Sequence, residues 1–141
     1  MAFTILGLDH ILLRIEDKDS MLDFYLNVLG CTRERELGNL GLIQLRAGNS
    51  LIDLVPIGSP LGRSDRGTPL QKHANLDHLC LRIEPFNEDA IRQHFAEYGY
   101  DIEPSAIRYG ADGFGASIYV HDPEGNTVEL KGPPQAASEP D

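Results

Sequence analysis

Two histidines occupy matched places in a stretch that the chain states twice. Residues 8–16 read LDHILLRIE and residues 76–84 read LDHLCLRIE, identical at seven of nine positions, with His10 and His78 third in each copy. A second echo follows each copy. GNSLIDL at 48–54 and GNTVEL at 125–130 each set one acid, Asp53 or Glu129, inside an apolar run after a Gly-Asn pair. Two imidazoles with one or two carboxylates are what a divalent cation takes from protein. Imidazole suits Zn, Ni, Co and Fe(II), and oxygen donors suit Mn. Two His and one carboxylate with open positions make the facial site of non-haem iron chemistry, and a second carboxylate makes a harder, six-coordinate, Lewis-acid site. Duplication at matched positions points to His10, His78 and Glu129 as ligands. Asp53, one methylene shorter, either ligates directly, binds through water, acts as a base or pairs with Arg14.

Positioning these groups requires strands. Alternate side chains of a strand share a face, so His10, Leu12 and Arg14 point one way and Asp9, Ile11, Leu13 and Ile15 the other. The second copy sets His78, Cys80 and Arg82 against Asp77, Leu79, Leu81 and Ile83. The aliphatic face belongs to a core, and the His/Arg face to a cleft. Arg14 and Arg82 there either neutralise an anionic substrate or pair with the acids. The pattern predicts a strand over 3–16, a helix over 17–29 opened by an aspartate or serine cap and closed by Gly30, and strands at 31–37, 40–47 and 50–57. Residues 58–73, rich in Gly, Pro, Ser and charge, read as a linker. A strand at 75–84, a helix at 87–98 and strands near 101–107, 114–121 and 126–131 repeat the plan. The three glycines of 109–115 read as a mobile loop, and 132–141 as a disordered tail. One 141-residue domain of two βαβββ modules, 3–57 and 75–131, results.

Composition narrows the partners. A formal charge of −10 argues against nucleic acid and against an anionic membrane surface. No apolar run reaches 18 residues and the N-terminus lacks a basic region, which leads to the expectation of a cytoplasmic protein. Two cysteines, Cys31 and Cys80, are too few for a disulfide framework. His73, His94 and His121 fall in linker, helix and turn positions.

Paired βαβββ halves opened by LDHILLRIE and LDHLCLRIE, with FYLNVLG closing the first helix and DPEGNTVEL closing the last strand, resemble the vicinal oxygen chelate superfamily of glyoxalases, bleomycin-resistance proteins and extradiol dioxygenases. The resemblance covers about residues 5–131. It implies an α+β fold in which eight strands of mixed direction curl into an open cleft around a metal. It also implies the glyoxalase I ligand places at His10, Asp53, His78 and Glu129. In that class a ligand carboxylate moves a proton through an enediolate on a substrate with adjacent oxygens, here Asp53 or Glu129. Arg14 matches an arginine that contacts glutathione, whereas Asp53, Ile57 and Ala74 depart from the class's Glu, Asn and Arg. The extradiol dioxygenases place a tyrosine ten residues before the glutamate, as Tyr119 stands before Glu129, yet their acid–base histidine meets Arg63. Acyl-CoA epimerases of the superfamily are also compatible, and metal-free bleomycin-resistance-type binding is the non-enzymatic alternative. The resemblance implies a divalent metal (Zn, Ni, Co, Mn or Fe(II)), a small-molecule substrate and a homodimer. The leading expectation is a metal-dependent lyase or isomerase with Arg14, Arg82 and Tyr119 lining the pocket.

Overall fold

Two runs of short strands, each interrupted once by a helix, build the chain in the computed structural model, which describes residues 5–62 and 76–135. The chain divides into two compact units, Met1–His73 and Ala74–Asp141.

In the first unit β1 (His10–Ile15) leads to α1 (Lys18–Leu22), then to β2 (Thr32–Leu37), β3 (Leu42–Ala47) and β4 (Ser50–Pro56). The sheet order is β1-β4-β3-β2, with β1 and β4 parallel and the other pairs antiparallel. Asp17 caps α1 by accepting from the Ser20 N–H at 3.2 Å. Beyond Leu22 the helix widens into a π-helical turn over Asp23–Val28, closed by the Leu29 N–H on the Phe24 carbonyl. The widened turn changes which side chains face inward. Met21, Leu22, Phe24, Tyr25 and Val28 are buried, whereas Leu26 and Leu29, expected on the inner face of an ordinary α-helix, are half-buried. Leu13 and Ile15 of β1, Ile43 and Leu45 of β3, and Ile52 and Leu54 of β4 are buried with them. These are the strand positions that alternate with His10, Gln44 and Asp53.

The second unit repeats the order: β5 (His78–Arg82), α2 (Glu88–Glu97), β6 (Ala106–Gly110), β7 (Gly113–His121) and β8 (Thr127–Lys131). Its sheet runs β5-β8-β7-β6, again with the first pair parallel. The expected tandem βαβββ plan is therefore present as two four-stranded sheets, one per unit. Phe95, Ile102, Ile118, Val120, Val128 and Leu130 are the buried apolar residues here.

Three expectations are corrected. The first strand begins at His10 rather than residue 3, so Asp9 lies outside the alternating pattern that placed it on the core face, and its side chain is exposed. The stretch 109–115 is not a loop. Gly110 pairs with Gly113 across a two-residue turn, and Arg108 pairs with Gly115. Residues 132–135 are tied back to β7 rather than opening a free tail, since Gly132 and Gln135 donate their N–H groups to the Ala116 and Phe114 carbonyls. Most of the expected linker, with Arg63, His73 and Ala74, and the last six residues lie outside the described part of the chain.

Candidate functional site

The site is built twice, once on each sheet. In the first unit the parallel pairing sets His10 opposite Leu51 and Leu12 opposite Asp53. In the second it sets His78 opposite Thr127 and Cys80 opposite Glu129. Histidine and carboxylate thus hold the same relative register in both units, on adjacent strands and one face. The His10 Nε2 lies 3.9 Å from Asp53 Oδ2, and the His78 Nε2 lies 3.2 Å from Glu129 Oε1. Both carboxylates are buried, while the imidazoles remain partly open to solvent.

The other ring nitrogen is committed in both cases. The His10 Nδ1 is 2.6 Å from Asp9 Oδ1 and the His78 Nδ1 is 2.8 Å from Asp77 Oδ2. A carboxylate only accepts, so Nδ1 carries a proton, and whenever the ring is neutral its lone pair lies at Nε2, toward Asp53 or Glu129. Lone pair facing carboxylate at 3.2 Å is repulsive unless a proton or a cation lies between them. Metal-ligating histidines adopt this posture, with the far N–H on a carboxylate that fixes the tautomer. For His10 the Asp9 hydrogen bond, and then the charge of Asp53, raise the pKa above its ordinary value. Each unit holds one histidine and one carboxylate in this arrangement. Among the described residues no group of three or more His, Cys, Asp or Glu forms that could hold a metal ion.

The residues facing the carboxylates differ between units. Gln44 of β3 is in register with Asp53, and Tyr119 of β7 with Glu129. Gln44 is buried and its Nε2 donates to Asp53 Oδ1 at 3.1 Å, while Arg35 of β2 donates from Nε to Gln44 Oε1. Tyr119 instead meets the His78 ring edge to face, with centroids 5.6 Å apart. Arg108 lies over the phenol ring, its guanidinium carbon 4.3 Å from the ring centroid. Tyr119 also lines a cavity of about 400 Å³ with Asp77, Asp101, Glu103, His121 and Thr127, all in the second unit.

Of the predicted residues, His10 and Asp53 meet in one unit, and His78, Glu129 and Tyr119 in the other. Arg82 is engaged with Asp112 at 2.8 Å. Arg14 has no hydrogen-bond or ion-pair partner among the described residues, and no ion pair joins it to Asp53. The Cys80 thiol is pushed up to about 11, by burial first and then by the charge of Glu129, which makes it a poor nucleophile at neutral pH. The sequence reading missed Asp9, Asp77, Gln44, Arg35 and Arg108. Asp9 and Asp77 were visible as part of the repeat itself. Gln44 was reachable by counting back from the Gly48-Asn49 turn, since a two-residue hairpin that pairs Ala47 with Ser50 must pair Gln44 with Asp53.

The profile of the Glyoxalase/Bleomycin resistance protein/Dioxygenase superfamily matches residues 7–130. A glyoxalase domain-containing protein of Mycosarcoma maydis is 26% identical over 131 residues, 90% of this chain and 68% of that protein. An integron cassette protein from the mobile metagenome of V. cholerae superposes with a TM-score of 0.73 at 26% identity, over 94% of this chain and 98% of that one. A lactoylglutathione lyase from Agrobacterium tumefaciens shares the fold at a TM-score of 0.62 and 21% identity, over 91% and 94% of the two chains.

Proposed function

Because the chain belongs to the Glyoxalase/Bleomycin resistance protein/Dioxygenase superfamily, we propose that it is a metal-dependent lyase or isomerase. Its substrate would be a small carbonyl or hydroxy compound with adjacent oxygens, processed through an enediolate. The observation that carries this reading is the repeated Asp–His–carboxylate arrangement, Asp9–His10–Asp53 and Asp77–His78–Glu129, at one register in both units. Two imidazoles and two carboxylates suit a divalent ion of the Zn, Ni, Co, Mn or Fe(II) kind, with His10, His78, Glu129 and Asp53 as the donors. Such an ion supplies Lewis-acid stabilisation to negative charge developing on substrate oxygens.

The chain's own residues divide the remaining work. Asp9 and Asp77 hold the tautomer that aims each Nε2. Asp53 has one oxygen bound by Gln44 and is the more restrained carboxylate. Glu129 accepts a hydrogen bond from no side chain of the kind that pins Asp53 among the described residues, only the His78 Nε2 standing near it, so it is the group free to take a proton from substrate carbon and return it. Arg14, without a partner of its own, is available to an anionic group of the substrate, and Arg82 becomes available by leaving Asp112. Metal analysis of protein purified without chelators tests the reading. We expect a stoichiometric divalent ion that His78→Ala loses. No metal in the wild type, or full metal in the variant, overturns it, the former leaving metal-free binding of a small molecule.

One observation favours a second reading. Tyr119 packs against His78 in register with Glu129, the placement expected of an Fe(II) extradiol-type dioxygenase. Oxygen uptake with a catechol by the Fe(II)-loaded protein, lost on air oxidation, would select it. A homodimer accords with Ile5, Leu6 and Leu8, each more than 80% exposed on one chain. A cytoplasmic location accords with two free thiols.

A further inference from the structure

We infer that Arg35 and Arg108 are positioning residues for the donor set, each acting through the residue that faces the carboxylate across its sheet. The inference rests on the metal-site reading above and concerns how that site is held in shape. In the first unit Arg35, Gln44 and Asp53 are in register across β2, β3 and β4. An amide side chain can present either its carbonyl or its NH2 to a neighbour, and nothing in Gln44 itself decides which. Arg35 decides it. A guanidinium only donates, so the Arg35 Nε on Gln44 Oε1 turns the NH2 toward Asp53 Oδ1. Asp53 is then pinned at Oδ1, with Oδ2 left toward His10.

In the second unit the place of Gln44 is taken by Tyr119, and the arginine comes from β6. Arg108 is anchored by two hydrogen bonds of 2.8 Å, from Nη1 to the Ser117 carbonyl and to its hydroxyl, and Ser117 is fully buried. The anchored cation lies over the Tyr119 face and fixes the ring plane. The ring in turn meets His78 in a T-shaped contact and limits rotation of the imidazole whose Nε2 faces Glu129. The same plan, outer-strand arginine to middle residue to donor, thus restrains a different donor in each unit: the carboxylate in the first, the imidazole in the second.

Cobalt(II) titration of the intact protein, followed by its d–d spectrum, tests this without a substrate. Arg108→Met and Arg35→Met are each expected to weaken cobalt on the order of 10-fold, as loss of an outer-shell partner does, and to change the band shape. Arg46→Met, which removes only a surface pair with Glu34, is expected to leave both unchanged. Action through the middle residue makes the losses non-additive. Arg108→Met added to Tyr119→Leu, or Arg35→Met added to Gln44→Leu, is expected to cost nothing further. If a methionine variant fails to fold, Arg35→Lys and Arg108→Lys take its place, and affinity between wild type and the Tyr119→Leu or Gln44→Leu variant is expected. Wild-type affinity in the methionine variants, or additive losses in the double variants, overturns the inference while leaving the metal site standing. A wild type that binds no cobalt overturns both.

Discussion

Asp9 and Asp77 are surface residues by exposure, yet each fixes the chemistry of the histidine that follows it. Without the carboxylate at Nδ1 the imidazole is free to exchange tautomers and to rotate, and its lone pair is at Nε2 only part of the time. Asp77→Ala therefore leaves every proposed ligand in place and still weakens the site. A loss of about 10- to 100-fold in cobalt or zinc affinity is expected, the range for removal of such an outer-shell carboxylate. Because Asp77 is solvent-exposed, unfolding in urea should hardly change. Unaltered metal affinity in this variant would show that the Asp77–His78 contact is incidental. The sequence made both aspartates visible through the repeat and then misled about them, because alternation placed them on the aliphatic face. The strands start at His10 and His78 rather than at residues 3 and 75, so both aspartates stand just outside them, and there parity has no hold on the side chain.

At the scale of elements, helix α2 and the β6–β7 hairpin carry separable predictions. Glu88 in the first turn of α2 accepts from the Ser105 hydroxyl and N–H and from Arg92, and these bonds, the Ser105 hydroxyl foremost, hold its carboxyl below the usual 4.5. A depressed pKa stabilises the fold where the unfolded chain is already ionised, so the contribution is whole above about 4.5 and disappears as pH falls through the lower folded-state value. Glu88→Gln should thus have a lower urea midpoint than wild type at neutral pH, and the gap should close in acid. A gap that persists in acid would mean that the charge of Glu88 is not the source. In the hairpin, two of the three glycines first read as a source of mobility, Gly110 and Gly115, are closely packed, while Gly113 takes the turn's φ of +108°. A Cβ on Gly115 would stand 2.7 Å from the Pro133 carbonyl oxygen and 3.0 Å from Lys131 Nζ, and that ammonium reaches on to the Gly113 carbonyl at 3.0 Å. Gly115→Ala is expected to cost about 1–3 kcal/mol, as overpacking against backbone does. Urea unfolding measures it, and a neutral result would return the segment to the status of a loose loop. The strands, the repeat and their order were legible because periodicity and turn residues are local. The register of β6, on which Arg108 depends, was not, since glycine carries no alternation to read.

The duplication makes a prediction that belongs to the whole chain. Each unit has two of the proposed donors, and two donors bind a divalent ion weakly. If His10, Asp53, His78 and Glu129 serve one ion, then that ion ties the stability of the fold to both units at once. A ligand bound only by the folded state stabilises by RT ln(1 + [L]/Kd), about 2.7 kcal/mol at a free concentration a hundredfold above Kd. Zinc or cobalt should therefore raise the urea midpoint of the wild type, and a chelator should return it. His10→Ala and His78→Ala lie in different units, so their intrinsic effects on folding should add. Their effects on the metal-dependent increment should not. Each single variant should lose most of it, and the double variant should have little left to lose. Two independent half-sites would behave in the opposite way: each variant would remove its own portion, and the portions would sum. The cycle, measured with and without metal, thus separates one four-donor site from two separate pairs, and an additive result would dissolve the shared donor set on which the proposed chemistry depends.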